Sequence, residues 1–186
     1  MNSKADKDLG FDAKAEVEDH IRTLPIKSAF FAPGSFMENW NHIMKPQANP
    51  EGVYEIRRHV SPQTRLPLIC TTRDTGKYVG AILAEPEKYE GKRFCAATRL
   101  YSMLEIAEII SKSTGKDVRY VQISEEEHRK SLPPWGGYLI QMMSYQEEYG
   151  YYGANQEEKV SWAAQHARGT LTSFEEYLRL KPLNLE

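Results

Sequence analysis

The chain has 186 residues, of which 40% are hydrophobic and 27% charged, so it has the composition of a folded domain rather than of a disordered segment. Its net charge of −2, with basic and acidic residues interspersed, argues against a dedicated nucleic-acid surface, and no run approaches the ~20 apolar residues of a membrane span. The polar N-terminus shows no signal peptide, and Cys70 and Cys95 lack a CxxC spacing. These features predict a cytoplasmic or nuclear protein with reduced thiols.

The N-terminal part of the chain predicts a helix followed by a buried strand. Asp12 is placed to cap a helix whose apolar face is formed by Val17, Ile21 and Leu24. The apolar run 26–32 is short and bounded by prolines, which favours a strand buried on both faces, as in a parallel sheet. A helix followed by such a strand is half of a βαβ unit.

The segment after this strand begins with a Pro-Gly turn. Residues 35–44, SFMENWNHIM, predict a short helix with Phe36, Trp40 and Ile43 on one face. Residues 47–72 predict irregular strands and turns.

The middle of the chain carries clear helix signals. Asp74 is placed to cap a helix over residues 75–84, and residues 94–97 predict a strand. The capping box Ser102–Glu105 predicts the start of another helix, and Gly115 predicts its end.

The last third continues this alternation. Residues 118–123 alternate like a strand, and Ser124–Glu127 is a second capping box. Residues 139–149 predict a helix, and Ser173 begins a final one. The pattern as a whole predicts a mixed α/β protein in which helices are in the majority.

Four blocks occur in an order and spacing that resemble the NmrA-like family, atypical relatives of the short-chain dehydrogenases. They include a lysine-bearing helix with its following strand and turn, a "PEKYxGK" turn, a helix-strand unit and a closing helix. The blocks are residues 11–40, 74–94, 101–124 and 173–179. The resemblance runs along nearly the whole chain from Phe11 onward.

The resemblance implies an α/β fold, namely the C-terminal portion of an NAD(P)-binding Rossmann-like fold with a smaller mixed α/β substrate or partner domain. The corresponding divisions are a loose N-terminus at 1–10, a residual Rossmann part at 11–45 and the C-terminal region at 46–186. Members of the family are redox-sensing regulators that bind NADP or NAD and contact partner proteins, including transcription factors. Others are oxidoreductases.

The resemblance also implies cofactor-binding residues. Lys14 matches the lysine that follows the catalytic tyrosine of short-chain dehydrogenases and contacts the ribose or nicotinamide side of the cofactor. Phe36, Met37, Glu38 and Asn39 match the loop at the nicotinamide end of the cleft. The tyrosine of the same motif would stand four residues before Lys14, where this chain has glycine, so no catalytic residue is assigned.

The phosphate side of the cofactor site is missing from the sequence. No G-x-x-G-x-x-G follows a strand, although such glycines let the backbone approach a pyrophosphate at a helix N-terminus. Relative to full-length relatives, roughly the first 110–130 residues are expected to be absent, as judged from the size of a Rossmann domain. We therefore expect impaired binding of NADP or NAD, or no cofactor at all.

A second hypothesis is a cofactor-free protein-interaction module or truncated paralogue. It predicts a protein partner or a homo-oligomer, joined through the unpaired edges of the strand at 26–32, with no direct nucleic-acid or membrane contact. Tyr149, Tyr151 and Tyr152 either form a contact surface or pack internally. The five histidines show no metal-ligand spacing. The run Arg57-Arg58-His59 is either a solvated face or a site that attracts an acidic group.

Overall fold

The computed structural model describes residues 10–185, apart from the side chains of residues 10–12 and 135. The predicted loose N-terminus and the side chain of Asp12 therefore lie outside what is described. The helices are α1 Gly10–Thr23, α2 Thr71–Ala84, α3 Met103–Thr114, α4 Glu125–Ser131, α5 Gly137–Tyr149, α6 Gln156–His166 and α7 Phe174–Leu180. The strands are β1 Phe30–Pro33, β2 Ser35–Phe36, β3 Gln47–Ala48, β4 Tyr54–Arg58, β5 Arg65–Ile69, β6 Arg93–Ala96, β7 Arg99–Ser102 and β8 Val118–Gln122. Short 3₁₀ helices occupy Met37–Asn41 and Pro134–Gly136.

The described strands form three small sheets. β1 pairs with β6 in parallel, β5 lies between β2 and β7, and β4 lies between β3 and β8. The pairs β2–β5 and β4–β8 are also parallel, while β5–β7 and β3–β4 are antiparallel. The mixed α/β class predicted from the sequence is confirmed.

The first strand is shorter than the apolar run predicted, and the prediction of two unpaired edges is wrong. β1 covers Phe30–Pro33 rather than 26–32, because its partner β6 offers only four residues, and Ile26 is 57% exposed. One edge of β1 is hydrogen bonded to β6, and the other edge meets no strand within residues 10–185.

The start of α2 differs from the prediction because its cap comes from elsewhere in the chain. The helix begins at Thr71, so Asp74 lies inside its first turn and is completely buried. Its carboxylate accepts hydrogen bonds from the backbone N–H and the hydroxyl of Thr172, both at 3.0 Å, and from Lys77 Nζ at 2.8 Å. Asp74 therefore fastens α2 to the segment before α7 instead of capping α2.

Local helix signals are confirmed where they do not depend on tertiary contacts. Ser102 and Ser124 each form the predicted capping box, at the starts of α3 and α4. Gly115 ends α3 with a φ of 69°, a left-handed conformation that glycine adopts at no steric cost. Ser173 caps α7.

The predicted short helix after β1 is present as a 3₁₀ turn, but its predicted apolar face is wrong. Trp40 is fully buried, whereas Phe36 is 41% and Ile43 69% exposed. Phe36 and Ile43 lie outside the 3₁₀ helix Met37–Asn41, so no helical face joins them to Trp40. The largest core cluster runs from Met37 to Leu185 and so includes residues on both sides of position 45.

Candidate functional site

A groove of about 820 Å³ lies between α1 and β1. Its helical wall is apolar apart from Lys14 and Glu18, its floor is β1 with the residue before it, and its far wall is aromatic. The side chains that matter here are Lys14, Val17, Glu18, Ile21, Phe31, Arg93, Tyr145, Tyr151 and Tyr152.

Charged contacts hold α1 against the rest of the protein. Glu18 lies 2.6 Å from both Arg22 and Arg93, and Arg22 also donates to the carbonyl of Gly91 at 3.0 Å. Burial alone would raise the pKa of Glu18, but the hydrogen bonds and charges of Arg93 and Arg22 outweigh it and lower that pKa. Val17, by contrast, is 58% exposed. The helix thus stands off β1 and leaves part of its apolar surface open to the groove.

Lys14 supplies a positive charge to this groove. It is exposed, and among the described residues it has neither an ion pair nor a hydrogen bond. Arg93, the other cation at the groove, is already engaged by Glu18. An anionic or hydroxyl-rich ligand entering the groove would therefore meet the Lys14 ammonium without displacing a carboxylate.

The aromatic wall is attached to β1 by hydrogen bonds. The Tyr152 hydroxyl donates to the carbonyl of Ala32 at 2.8 Å, and the Tyr151 hydroxyl donates to that of Pro33 at 3.5 Å. Burial raises the pKa of both phenols. They consequently remain protonated near neutral pH and act as structural donors rather than as acid–base groups.

The outer edge of β1 pairs with no strand among the described residues. Phe30 donates its N–H to the carbonyl of Lys92, directly before β6, and Gly34 donates to that of Ala96 in β6. Alternate residues of a parallel strand bond to the same side. The N–H and C=O of Phe31 and the C=O of Pro33 therefore point away from β6. Pro33 has no N–H, so this edge presents one backbone donor over the length of β1.

The structure brings only one of the five predicted site residues to the groove, namely Lys14. Met37 is fully buried in the core, Phe36 is exposed, and Asn39 is half-buried and accepts backbone hydrogen bonds from His42 and Met44. Their roles toward a cofactor stay predictions.

Glu38 lies at a different pocket, of about 390 Å³. Its Oε1 accepts hydrogen bonds from the Thr71 hydroxyl at 2.8 Å and the Thr72 N–H at 3.2 Å, at the start of α2. Burial raises its pKa, but these hydrogen bonds outweigh burial and leave the pKa below its usual value. Its Oε2 is buried without a hydrogen-bond partner among the described residues. Glu38 is thus an ionised cap for α2.

Sequence reasoning missed the aromatic wall of the groove. Tyr149, Tyr151 and Tyr152 stood out as a cluster, and Tyr151 and Tyr152 line the groove together with Tyr145. Nothing in the sequence pairs this cluster with β1, which lies more than a hundred residues earlier. The tyrosine-rich stretch is visible in the sequence, but its contact with β1 is not.

Comparison with known proteins identifies the family. The family model described as "NmrA-like family" matches residues 2–178, which is nearly the whole chain. The chain belongs to the NmrA-like family. The resemblance carried by the four sequence blocks is thereby confirmed at the level of the family.

Curated NmrA-like proteins match at moderate identity. The nitrogen metabolite repression protein nmr of Neurospora crassa is 26% identical over 153 residues, which are 79% of this chain and 31% of that protein. An NmrA-like family domain-containing protein of Dictyostelium discoideum is 29% identical over 183 residues, 93% of this chain and 57% of that protein. The chain thus spans between about a third and three fifths of the length of these relatives.

Solved structures show the same α/β fold. The crystal structure of NmrA, a negative transcriptional regulator, in complex with NAD superposes with a TM-score of 0.68 at 22% identity. That match covers 89% of this chain and 56% of the NmrA chain. A complex of NmrA with NADP gives a TM-score of 0.69 with the same coverage.

Neither a membrane-spanning helix nor a metal cluster occurs in the described part of the chain. Residues 10–185 contain no helix with the length and apolarity to cross a membrane. Over the same residues, no three histidine, cysteine, aspartate or glutamate side chains gather as a metal site would require. Cys70 and Cys95 are both buried and unpaired with each other.

Proposed function

We propose that this chain is an NmrA-like regulatory module whose groove beside Lys14 binds the nicotinamide-ribose end of NAD or NADP, weakly and without hydride transfer. The observation that carries the proposal is the ammonium group of Lys14, which lies at an 820 Å³ groove and has no ion pair among the described residues, while the carboxylate of this groove, Glu18, is bound to Arg22 and Arg93. NmrA, whose solved structures include NAD and NADP complexes, supplies the class of ligand.

The residues present suit one end of the dinucleotide and not the other. Lys14 can donate to ribose hydroxyls, and the aromatic wall can cover a flat heterocycle. A pyrophosphate needs free backbone N–H groups at a helix N-terminus. Carboxylates already lie in the first turn or at the cap of α2, α3, α4, α6 and α7, where they would repel a phosphate. The start of α5 carries no carboxylate, but the residues of its first turn do not line the groove. The affinity is therefore expected to be on the order of 1 mM rather than micromolar.

Hydride transfer is not part of the proposal. A nicotinamide supplies or accepts hydride when it is bound, but a dehydrogenase also moves a proton to or from its substrate. Gly10 occupies the position where the short-chain dehydrogenases carry the tyrosine that transfers this proton. The hydroxyls of Tyr151 and Tyr152 in the groove already donate hydrogen bonds to carbonyls of β1. Binding without turnover is the behaviour of a redox sensor, in which the NAD(P) state changes contact with a protein partner such as a transcription factor.

Calorimetric titration with nicotinamide mononucleotide, NAD and NADP tests this proposal. A site limited to the nicotinamide end binds all three with similar affinity, because the adenosine half adds few contacts. Lys14→Ala should weaken binding several-fold, while Lys112→Ala, an exposed lysine on α3, should leave it unchanged. Absence of binding at about 10 mM of every ligand would exclude the proposal.

The second candidate is a cofactor-free interaction module, favoured by the outer edge of β1, which pairs with no strand among the described residues. An exposed strand edge is a template for another chain, and the half-exposed apolar wall of α1 would be covered at the same time. This candidate predicts an oligomer or a complex in light scattering, which Val17→Lys should weaken and Leu83→Lys, on the exposed face of α2, should not. A monomer at all concentrations, with no partner, counts against it.

A further inference from the structure

Three polar side chains form a hydrogen-bonded chain away from the lining of the groove. His59 Nδ1 lies 2.7 Å from His128 Nδ1, and His59 Nε2 lies 2.9 Å from Ser144 Oγ. The two imidazole rings have centroids 5.0 Å apart. His128 is only 1% exposed and is held out of water, while His59 is half-buried.

These three side chains join three segments that are distant in sequence. His59 directly follows β4, His128 lies on α4, and Ser144 lies on α5. Gln122 of β8 donates to the carbonyl of His59 at 3.2 Å. The imidazoles therefore fasten two helices to the end of the β3-β4-β8 sheet.

The geometry limits how many protons the pair can hold. With both rings neutral, one Nδ1–H donates to the other Nδ1, which satisfies both atoms at 2.7 Å. One added proton creates an imidazolium in a site with little water. A second would place hydrogens on both facing nitrogens and break the contact.

The surroundings of His128 favour its neutral form. Burial is the main cause that lowers its pKa, to about 4, and the positive charge of Arg58 and the neighbouring His59 lower it further. Arg58 has only the carbonyl of Arg57 as a hydrogen-bond acceptor among the described residues, so no carboxylate neutralises it there. Tyr120 of β8 donates its hydroxyl to Val60 at 2.6 Å, and burial raises its pKa, so it adds no negative charge.

His59 is subject to opposing charges. Burial lowers its pKa, Arg129 and Arg58 act in the same direction, and the carboxylates Glu125 of α4 and Glu147 of α5 oppose them. Glu147 is itself engaged by the backbone N–H of Ser61 at 2.6 Å. The net effect still favours the neutral ring.

The last of the three hydrogen-bonded side chains, Ser144, is adjacent in sequence to a residue of the groove. Ser144 is followed on α5 by Tyr145, which lines the groove wall, and successive residues of a helix point about 100° apart. We propose that His59, His128 and Ser144 form a proton-sensitive latch that holds α4 and α5 in place and thereby positions Tyr145 in the groove. Acidification releases this latch before the protein unfolds as a whole.

The direction of the pH dependence follows from linkage. Because the folded protein binds the extra proton less readily than the open form, the latch is at full strength above pH 6.5. It weakens as the pH falls from 6.5 toward the folded pKa of about 4. At pH 5 the opening of α4 and α5 should be favoured about twentyfold relative to pH 7.

Hydrogen–deuterium exchange of the ligand-free protein at pH 7 and pH 5, corrected for intrinsic exchange, tests the latch. Peptides from α4 and α5 should gain about twentyfold in exchange at pH 5, and peptides from α2 should not. His128→Leu should abolish this gain, while His20→Leu, an exposed histidine on α1, should retain it. The consequence for Tyr145 rests on the proposed function, but the exchange is measured without ligand, so each can fail separately.

Two measurements keep the test decisive if His128→Leu does not fold. Ser144→Ala removes only the α5 arm, so α5 should exchange faster already at pH 7 and lose part of its pH dependence. Histidine NMR titration of the wild-type protein should show two imidazoles titrating below pH 6.5. Normal titration of all histidines, or equal exchange of α4 and α5 at both pH values, would overturn the latch.

Discussion

The carboxylate of Glu38 caps helix α2 from outside that helix, since its Oε1 accepts the backbone N–H of Thr72 at 3.2 Å. The residue at the N-cap position itself, Cys70, makes no side-chain cap. The contact anchors the turn after β1 to the start of α2. Residues that the resemblance placed at a cofactor therefore contribute to the fold of this chain.

Removal of this cap should destabilise the protein. Glu38→Ala loses the charged acceptor at the N-terminus of a 14-residue helix, which is expected to cost about 1–2 kcal/mol in the free energy of unfolding. Glu38→Gln keeps an acceptor without the charge and should cost less. Urea denaturation of both variants and of Glu87→Ala, an exposed control, measures the difference.

The contribution of Glu38 should also depend on pH. Its pKa is lowered in the folded protein, so the stabilisation is complete above the ordinary value of 4.5 and is lost as the pH falls through the folded pKa. The stability gap between the wild-type protein and Glu38→Gln should consequently shrink below pH 4.5. A gap that stays constant down to pH 3 would show that the charge is not involved.

Asp74 should be more sensitive than Glu38 because it is completely buried. Asp74→Ala removes three hydrogen bonds, two from Thr172 and one from Lys77, and leaves the buried donors of Thr172 unsatisfied, whereas Lys77 keeps the carbonyl of Thr170. We expect a loss of about 3 kcal/mol. Glu85→Ala, at the exposed C-terminal end of the same helix, is the matched control and should change stability by less than about 0.5 kcal/mol. Equal losses in the two variants would contradict the account.

Two glycines should respond to alanine in opposite directions. A Cβ at Gly34 would lie 2.3 Å from the carbonyl oxygen of Pro67, which belongs to β5 and cannot move independently. Gly34→Ala should therefore destabilise by about 3 kcal/mol or prevent folding. Gly76, within α2, has open space around it, so Gly76→Ala should stabilise by about 0.5–1 kcal/mol. Thermal unfolding of the pair shows whether the residue between β1 and β2 approaches β5 as closely as the structure has it.

Local signals in the sequence predicted local structure, and tertiary contacts account for what they missed. The capping boxes at Ser102 and Ser124 are closed by residues three positions away, so the sequence alone reveals them. The cap of α2 comes from Glu38, more than thirty residues upstream. Asp74 was predicted to be a cap because its partner, Thr172, is 98 positions away and no local pattern indicates that contact.

The candidate site was predictable only in part for the same reason. Lys14 was found because a family motif marks it, and it does lie at a groove. The aromatic wall, and the contact between His59 and His128, join residues whose spacing carries no periodic signal. The length of β1 depends on that of β6, which no pattern within residues 26–32 contains.

The central claim is that the groove beside Lys14 is the ligand site of this chain, and NMR mapping of bound nicotinamide mononucleotide tests it most directly. Backbone shifts that saturate should cluster on α1, β1 and the segment 145–153, and Lys14→Ala should reduce them while Lys112→Ala does not. Shifts that cluster instead around Glu38 and Tyr177, or that are unaffected by Lys14→Ala, would contradict the account.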